Sequence, residues 1–248
     1  MDETAVELPR ALQLMWGIEG PARPGPKPTL HISDIGRAAV KLADAAGLGA
    51  VSMAKVAAEV GFTTMSLYRY VDSKDELYAV MLDEAFGLPD PIDPELDWRA
   101  GITQWALMSR DAMHRHPWIL QVPLFEPPLS PKQLVWMESG LKAFEGTRLS
   151  PADQLQALVL VNIYVRGTAQ LTADMFVGGE RTKEENDQLY GRRLMMLATP
   201  DRFPTIAATM TSGTLDTDGD FGPDDFTFGL TVILDGIQTL IDRSAARA

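Results

Sequence analysis

Apolar positions recur at helical spacing almost from the start of the chain. Leu8-Pro-Arg-Ala-Leu-Gln-Leu-Met-Trp16 predicts a short helix with Pro9 in its first turn. Gly20-Pro-Ala-Arg-Pro-Gly-Pro-Lys-Pro28 forbids helix and predicts an extended segment carrying Arg23 and Lys27, either a solvated linker or a basic arm lying along DNA. Beyond Leu30, residues Ile35, Ala38, Ala39, Leu42 and Ala46 fall three or four apart, predicting a helix over 33–46 that Gly47 stops. Ser52 is a candidate N-cap for a second helix, 53–60, with Val56, Ala57 and Val60 on its apolar face. Gly61-Phe62 predicts a tight turn, since glycine alone reaches positive φ cheaply. Thr63 caps a third helix, 64–70, in which Leu67 points inward, as does Val71 just beyond it. Ser73-Lys-Asp-Glu76 reads as a capping box opening a fourth helix that carries Leu77, Val80, Met81 and Phe86.

Leu88-Pro-Asp-Pro-Ile-Asp-Pro94 breaks any helix and is the best linker candidate. Beyond it the pattern predicts helices over about 96–115, ended by Pro117; from Ser130-Pro131 to Phe144; from Ser150-Pro151 to Phe176; from a second capping box, Thr182-Lys-Glu-Glu185, to Leu197; and from Pro223 to Ile241. No alternating run bounded by turn residues offers a strand. The expected fold class is all-α. The expected division is 1–28, an N-terminal extension with its Pro-rich arm; 29–76, a three-helix helix-turn-helix domain; 77–94, a linking helix and linker; and 95–248, a larger helical domain for ligand binding and dimerisation.

Charge sharpens this picture. The chain of 248 residues has a formal net charge of −12 at pH 7, which repels nucleic acid as a whole. The distribution is uneven. Residues 20–74 hold Arg23, Lys27, Arg37, Lys41, Lys55, Arg69 and Lys74 against Asp34, Asp44, Glu59 and Asp72, so a mildly basic module sits on a strongly acidic body.

Residues 51–74 supply the parts of a helix-turn-helix: a short helix, a glycine turn, and a second helix whose outer side is available to a major groove. Thr64, Met65 and Ser66 occupy the first turn of that second helix, where side chains reach base edges. Tyr68, Arg69 and Tyr70 sit further along, within reach of phosphates or base edges, and one of the two rings is equally readable as a core aromatic. Lys74 lies in the first turn of the next helix, whose backbone N–H groups also favour a phosphate. The run from Leu48 to Leu77, above all Ser66-Leu-Tyr-Arg-Tyr-Val71 followed by Ser73-Lys-Asp-Glu-Leu77, resembles the DNA-binding domain of the tetracycline-repressor (TetR) family. The resemblance covers about residues 33–77. It implies DNA contacts at Thr64, Met65, Ser66, Tyr68, Arg69, Tyr70 and Lys74, with Ser52 and Lys55 where the preceding helix meets the backbone. Thr63, capping the reading helix, completes the candidate set. Ala54 departs from the pattern, standing where many relatives carry a basic residue, which implies one phosphate contact fewer.

Past residue 90 the resemblance thins to His114-Arg-His-Pro-Trp118 and Val161-Asn-Ile-Tyr-Val-Arg-Gly167. It implies a body with a ligand pocket and a four-helix dimer interface. Leu155 to Val165 is apolar nearly all round, as in a helix buried on several sides. In the last helix Phe226, Leu230, Ile233, Leu234, Ile237 and Ile241 form one stripe, and Gly229 and Gly236 would admit a close neighbour. These helices either pair across a homodimer twofold axis or pack within one subunit. Trp98, Trp105, Trp118 and Trp136, with methionines such as Met108, Met113, Met137 and Met175, suit an adaptable apolar pocket as well as ordinary core. The candidate lining is Trp105, Met108, Trp136, Tyr164 and Met175.

Several classes are set aside. The chain has no cysteine, and no apolar stretch approaches the ~20 residues that cross a bilayer. Its acidic start lacks the basic opening of a secretory signal, so a cytoplasmic protein without membrane partners is expected. No Gly-x-Ser-x-Gly, phosphate-binding glycine loop, Gly-x-Gly-x-x-Gly or His-Glu-x-x-His is present, and no enzyme activity or cofactor is expected. His114 and His116 fall on different sides of a helix without a third ligand, and are expected to complement its C-terminal dipole when protonated rather than to bind metal. Asp216-Thr-Asp-Gly-Asp220 begins like a calcium loop but has Phe221 and Thr227 where glycine and glutamate are needed. The expected partners are double-stranded DNA with a palindromic operator, a small apolar or aromatic effector that releases it, and a second copy of the chain. The alternatives are an enzyme with an unrecognised active site in the body, or a DNA-binding protein without ligand control.

Overall fold

The computed structural model describes residues 8–18, 30–123, 127–176, 183–211 and 223–247. The Pro-rich arm, the Thr182 cap and the acidic 216–220 loop lie outside the described residues. All regular structure within them is helical, with no strand. The chain packs as two compact units, Met1–Arg166 and Gly167–Ala248.

In the first unit, α1 (Arg10–Met15) precedes α2 (Ile32–Ala46), α3 (Met53–Glu59), α4 (Thr64–Leu67) and α5 (Lys74–Phe86). The sequence signals act as expected at most of these ends. Ser52 Oγ accepts from the Lys55 N–H at 3.3 Å, Thr63 Oγ1 from Ser66 N–H at 3.2 Å, and Ser73 Oγ from Glu76 N–H at 3.1 Å. Gly47 and Gly61 take φ of 76° and 75° where their helices stop, conformations that would strain any side chain. The second capping interaction at α5 is displaced by one residue: Glu76 Oε2 accepts from the N–H of Asp72, not Ser73.

Burial then fixes the head. Ile35, Ala39, Val56, Leu67, Val71, Leu77 and Met81 are fully enclosed, so α2, α3, α4 and α5 share one core. Helix α5 runs close against α2. A Cβ on Gly36 would sit 2.6 Å from Glu84 Cγ and 2.9 Å from Val80 Cγ1, so only glycine permits that approach. The same core takes in Trp118 and Ile119 from a 3₁₀ turn at Pro117–Gln121, and Val122 just after it.

The rest of the first unit is α6 (Trp98–Arg115), α7 (Pro131–Lys142) and the start of α8 (Pro151–Phe176). Asp97 caps α6 and Ser150 caps α8. Gly140 brings α7 close to α6 and α8, since a Cβ there would meet Leu158 Cδ1 at 2.5 Å and Trp105 Nε1 at 3.0 Å. On α8, Leu158, Val161 and Val165 are buried, while Leu155, Val159, Leu160 and Ile163 are exposed. The all-round apolar surface read from sequence is therefore only half covered within one chain.

The second unit holds the end of α8 with α9 (Lys183–Leu197), α10 (Pro204–Thr211) and α11 (Pro223–Arg247). Helix α10 was not foreseen. On α11 the predicted stripe is buried at Phe226, Leu230, Leu234 and Ile237, while Phe228, Val232 and Leu240 on other sides remain exposed.

Candidate functional site

Two side chains anchor the reading segment, and the rest project from it. Leu67 and Val71 are fully buried, which fixes the rotation of α4 and turns Met65, 76% exposed, directly outward. Thr63 Oγ1 both accepts from Ser66 N–H and lies 2.9 Å from Ser66 Oγ, locking the first turn into a compact polar tip. The helix itself is shorter than the predicted 64–70. After Leu67 the chain tightens, with Arg69 N–H donating to Ser66 O and Tyr70 N–H to Leu67 O, each three residues back. Tyr68 and Arg69 are exposed in this turn, whereas Tyr70 is half-buried against the core. The choice left open between the two rings is thus resolved: Tyr70 packs, Tyr68 projects.

Basic groups divide into two sets. Arg37 pairs with Asp34 on its own helix, and Lys41 reaches Glu59 on α3 at 2.6 Å. The His31 N–H, with Arg37 beside it, holds the Asp34 carboxyl below its ordinary range; the Glu59 carboxylate holds the Lys41 ammonium above its own. These cations are committed to the head's internal ion pairs. Lys55, Arg69 and Lys74 are exposed, and Lys74 Nζ stands 5.3 Å over the Tyr78 ring in the first turn of α5. A further cation was missed by sequence reasoning. Arg10 on α1 donates from Nε to the Arg69 carbonyl at 3.4 Å, a contact across 59 residues that no local signal announces. The structure therefore gathers Thr63, Thr64, Met65, Ser66, Tyr68, Arg69 and Tyr70 on one short element, with Ser52, Lys55 and Lys74 on the two helices around it.

The candidate pocket residues behave differently. Trp105 and Trp136 meet edge to face at 6.2 Å and are both buried. Trp105 Nε1 donates to the Trp136 carbonyl at 2.9 Å, and Trp136 Nε1 to the Gly87 carbonyl at 3.0 Å, so both indoles are engaged within the protein. Phe86 packs on Trp136 at 6.1 Å, joining this cluster to the end of α5. Met108 and Tyr164 are half-buried on α6 and α8. The Met175 side chain lies outside the described set.

The histidines at the end of α6 also separate. His116 Nδ1 lies 2.7 Å from Asp44 Oδ1, and Trp118 Nε1 donates to the same oxygen at 2.7 Å, tying the 3₁₀ turn to α2. Partial burial and the Arg110 guanidinium hold His114 below the ordinary imidazole range. Burial thus disfavours, at that position, the protonated imidazole expected to complement the helix end. Among the described residues no group of three or more acidic or histidine side chains is arranged to hold a metal. No helix of the described residues is long and apolar enough to cross a membrane.

Comparison with known proteins agrees with this geometry. Residues 35–81 match the domain described as bacterial regulatory proteins, tetR family, and residues 90–241 match the tetracyclin repressor-like C-terminal domain. The chain is 34% identical to the HTH-type transcriptional repressor DrrR1 of Streptomyces coeruleorubidus, over 95% of this chain and 87% of that one. Among solved structures, apo ActR from Streptomyces coelicolor superposes with a TM-score of 0.72 at 22% identity, covering 86% of this chain and 99% of ActR. ActR in complex with actinorhodin gives 0.70 at 22% identity, covering 85% and 96%. At that identity the likeness is one of fold.

Proposed function

The chain belongs to the tetR family of bacterial regulatory proteins and is a DNA-binding transcriptional regulator; from that premise we propose that it represses transcription as a homodimer released from a palindromic operator by a small apolar or aromatic effector. The observation that carries the reading is the rotation of α4. Leu67 and Val71 are buried while Met65, Tyr68 and Arg69 project, so the outer side is shaped for a groove and not for the protein's own core. Thr64, Met65 and Ser66 meet base edges, and Ser52, Lys55, Thr63, Tyr68, Arg69, Tyr70 and Lys74 position the head on the backbone.

Exposed apolar surface supports the dimer. Ile163 on α8 is 62% exposed and Phe228 on α11 is 72% exposed, each on a helix that also buries an apolar side within its own chain. A second copy covering those faces removes them from water. A Cβ on Gly236 would meet nothing within 4 Å, leaving room beside α11 for a neighbouring helix. Two heads then present recognition helices about one turn of DNA apart, ~34–36 Å or somewhat more.

The effector site is assigned to the body, with Trp105, Met108, Trp136 and Tyr164 as its candidate lining. That the similarly folded ActR is found in complex with actinorhodin supports control by a small-molecule effector. Effector binding and operator binding oppose each other through the spacing of the heads, so each weakens the other equally. Selection of random duplexes on the purified protein tests the DNA reading. A palindromic consensus is expected, and a pool that stays random contradicts it.

A further inference from the structure

Helix α1 lies wholly before residue 35, where the match to the family's N-terminal domain begins, so its role is not set by that domain. It is nevertheless built into the head. Ala11 and Leu12 are buried, Met15 packs on the head core, and the helix touches both α2 and α5.

Each of its ends makes a hydrogen bond to a distant part of the chain. At one end Arg10 Nε donates to the carbonyl of Arg69, in the tight turn that follows the reading helix. At the other end Trp16 Nε1 donates to the carbonyl of Leu129 at 2.9 Å, two residues before α7 begins. Between them Leu14 and Met15 face Tyr70, Asp83 and Lys132 across a cleft of about 340 Å³. A single short helix thus touches the reading turn, the linking helix α5 and the start of α7.

We infer that α1 is a strap that positions the DNA-reading turn from the body, with Arg10 and Trp16 as positioning residues for operator binding. The inference rests on the DNA reading proposed above. Arg10 fixes the backbone that carries Arg69 and Tyr70, and Trp16 fixes where Arg10 stands by anchoring the far end of the same helix. A shift at the start of α7 then reaches residues 68–70 through one rigid element. The body acts on the reading surface along this route as well as through α5.

Trp16→Phe tests the strap, because it removes the N–H donor while keeping an aromatic ring at that position. The probe is the duplex that the wild type selects from a random pool. Binding is measured at two salt concentrations, beside amide exchange over residues 68–71. Lys74→Ala serves as the control for the DNA surface. Trp16→Phe is expected to weaken duplex binding by roughly two- to tenfold, the range of one hydrogen bond's net effect. Its salt slope should equal that of the wild type, since no phosphate contact is lost. Exchange should quicken over 68–71 while the thermal midpoint holds. Arg10→Ala should act alike, and Arg10→Lys, which retains a donor, should recover part of the loss. Wild-type binding and exchange in Trp16→Phe, with Lys74→Ala impaired, overturn the strap and leave the DNA reading standing. A wild type that selects no duplex overturns the DNA reading itself.

Discussion

Asp83 of α5 accepts the backbone N–H of Lys132 at 2.8 Å, so the first turn of α7 is capped by a carboxylate from another helix. Ser130, at the N-cap position of α7, is buried and turns its hydroxyl to Gln133 Oε1 instead. The Lys132 ammonium completes the joint, 3.6 Å from Asp83 and 2.8 Å from Glu84. Because α5 also carries the core of the reading head, this joint links head and body by charge and backbone together.

Asp83→Ala should therefore destabilise the protein by about 1–3 kcal/mol, the cost of leaving a buried donor without its acceptor. Denaturant unfolding with an unchanged slope checks it. An unchanged midpoint would mean that water replaces the carboxylate at no cost.

Leu67→Ala should cost about 2–5 kcal/mol by opening a cavity beneath the reading helix. Met65→Ala, at an exposed position, should leave the midpoint within about 0.5 kcal/mol. The contrast separates the side of α4 that holds the fold from the side that meets DNA.

Lys74→Ala should weaken binding of the selected duplex evenly across sequence variants. The salt slope should fall by about one unit per subunit, as for a lost phosphate contact. Loss of base preference instead would move Lys74 from the backbone to a base edge.

His114 gives a pH dependence of known sign. Its imidazole is held below the ordinary range in the folded state, by partial burial and then by Arg110. The unfolded chain therefore takes up the proton first as pH falls, below about pH 6.5. Stability should decline through that window and level off once the folded state is protonated too. His114→Gln should flatten this part of the profile in urea unfolding followed across pH.

Ile163→Asp should yield a monomer in sedimentation with intact helicity and much weaker duplex binding, since the charge replaces an apolar contact at the proposed twofold interface. A dimer that survives this change places the interface elsewhere.

The helical architecture was legible because its helices carry local punctuation. Ser52, Thr63 and Ser73 cap in the expected places, and Gly47 and Gly61 stop their helices with positive φ. Helix α10, opened by Pro204, passed unnoticed because it is only eight residues long and has no buried face to set a periodic pattern. The outward side of α4 was legible for the same local reason: a buried Leu67 determines what faces out. Whatever depends on distant parts of the chain was not. Nothing near Arg10 or Trp16 in sequence announces Arg69 or Leu129, and nothing near Asp83 announces Lys132. The tryptophans illustrate the other limit. Composition marks Trp105 and Trp136 as large, flat and apolar, but does not announce that they pack edge to face and hydrogen-bond to one another.

A photo-crosslinking benzophenone side chain placed at Met65 tests the central claim most directly, because that position is 76% exposed and turns away from the head core. Irradiated with the selected duplex, the protein should crosslink to major-groove bases at two symmetry-related positions. A retarded duplex with no crosslink at that position, or one crosslinked only to the protein itself, would contradict the account.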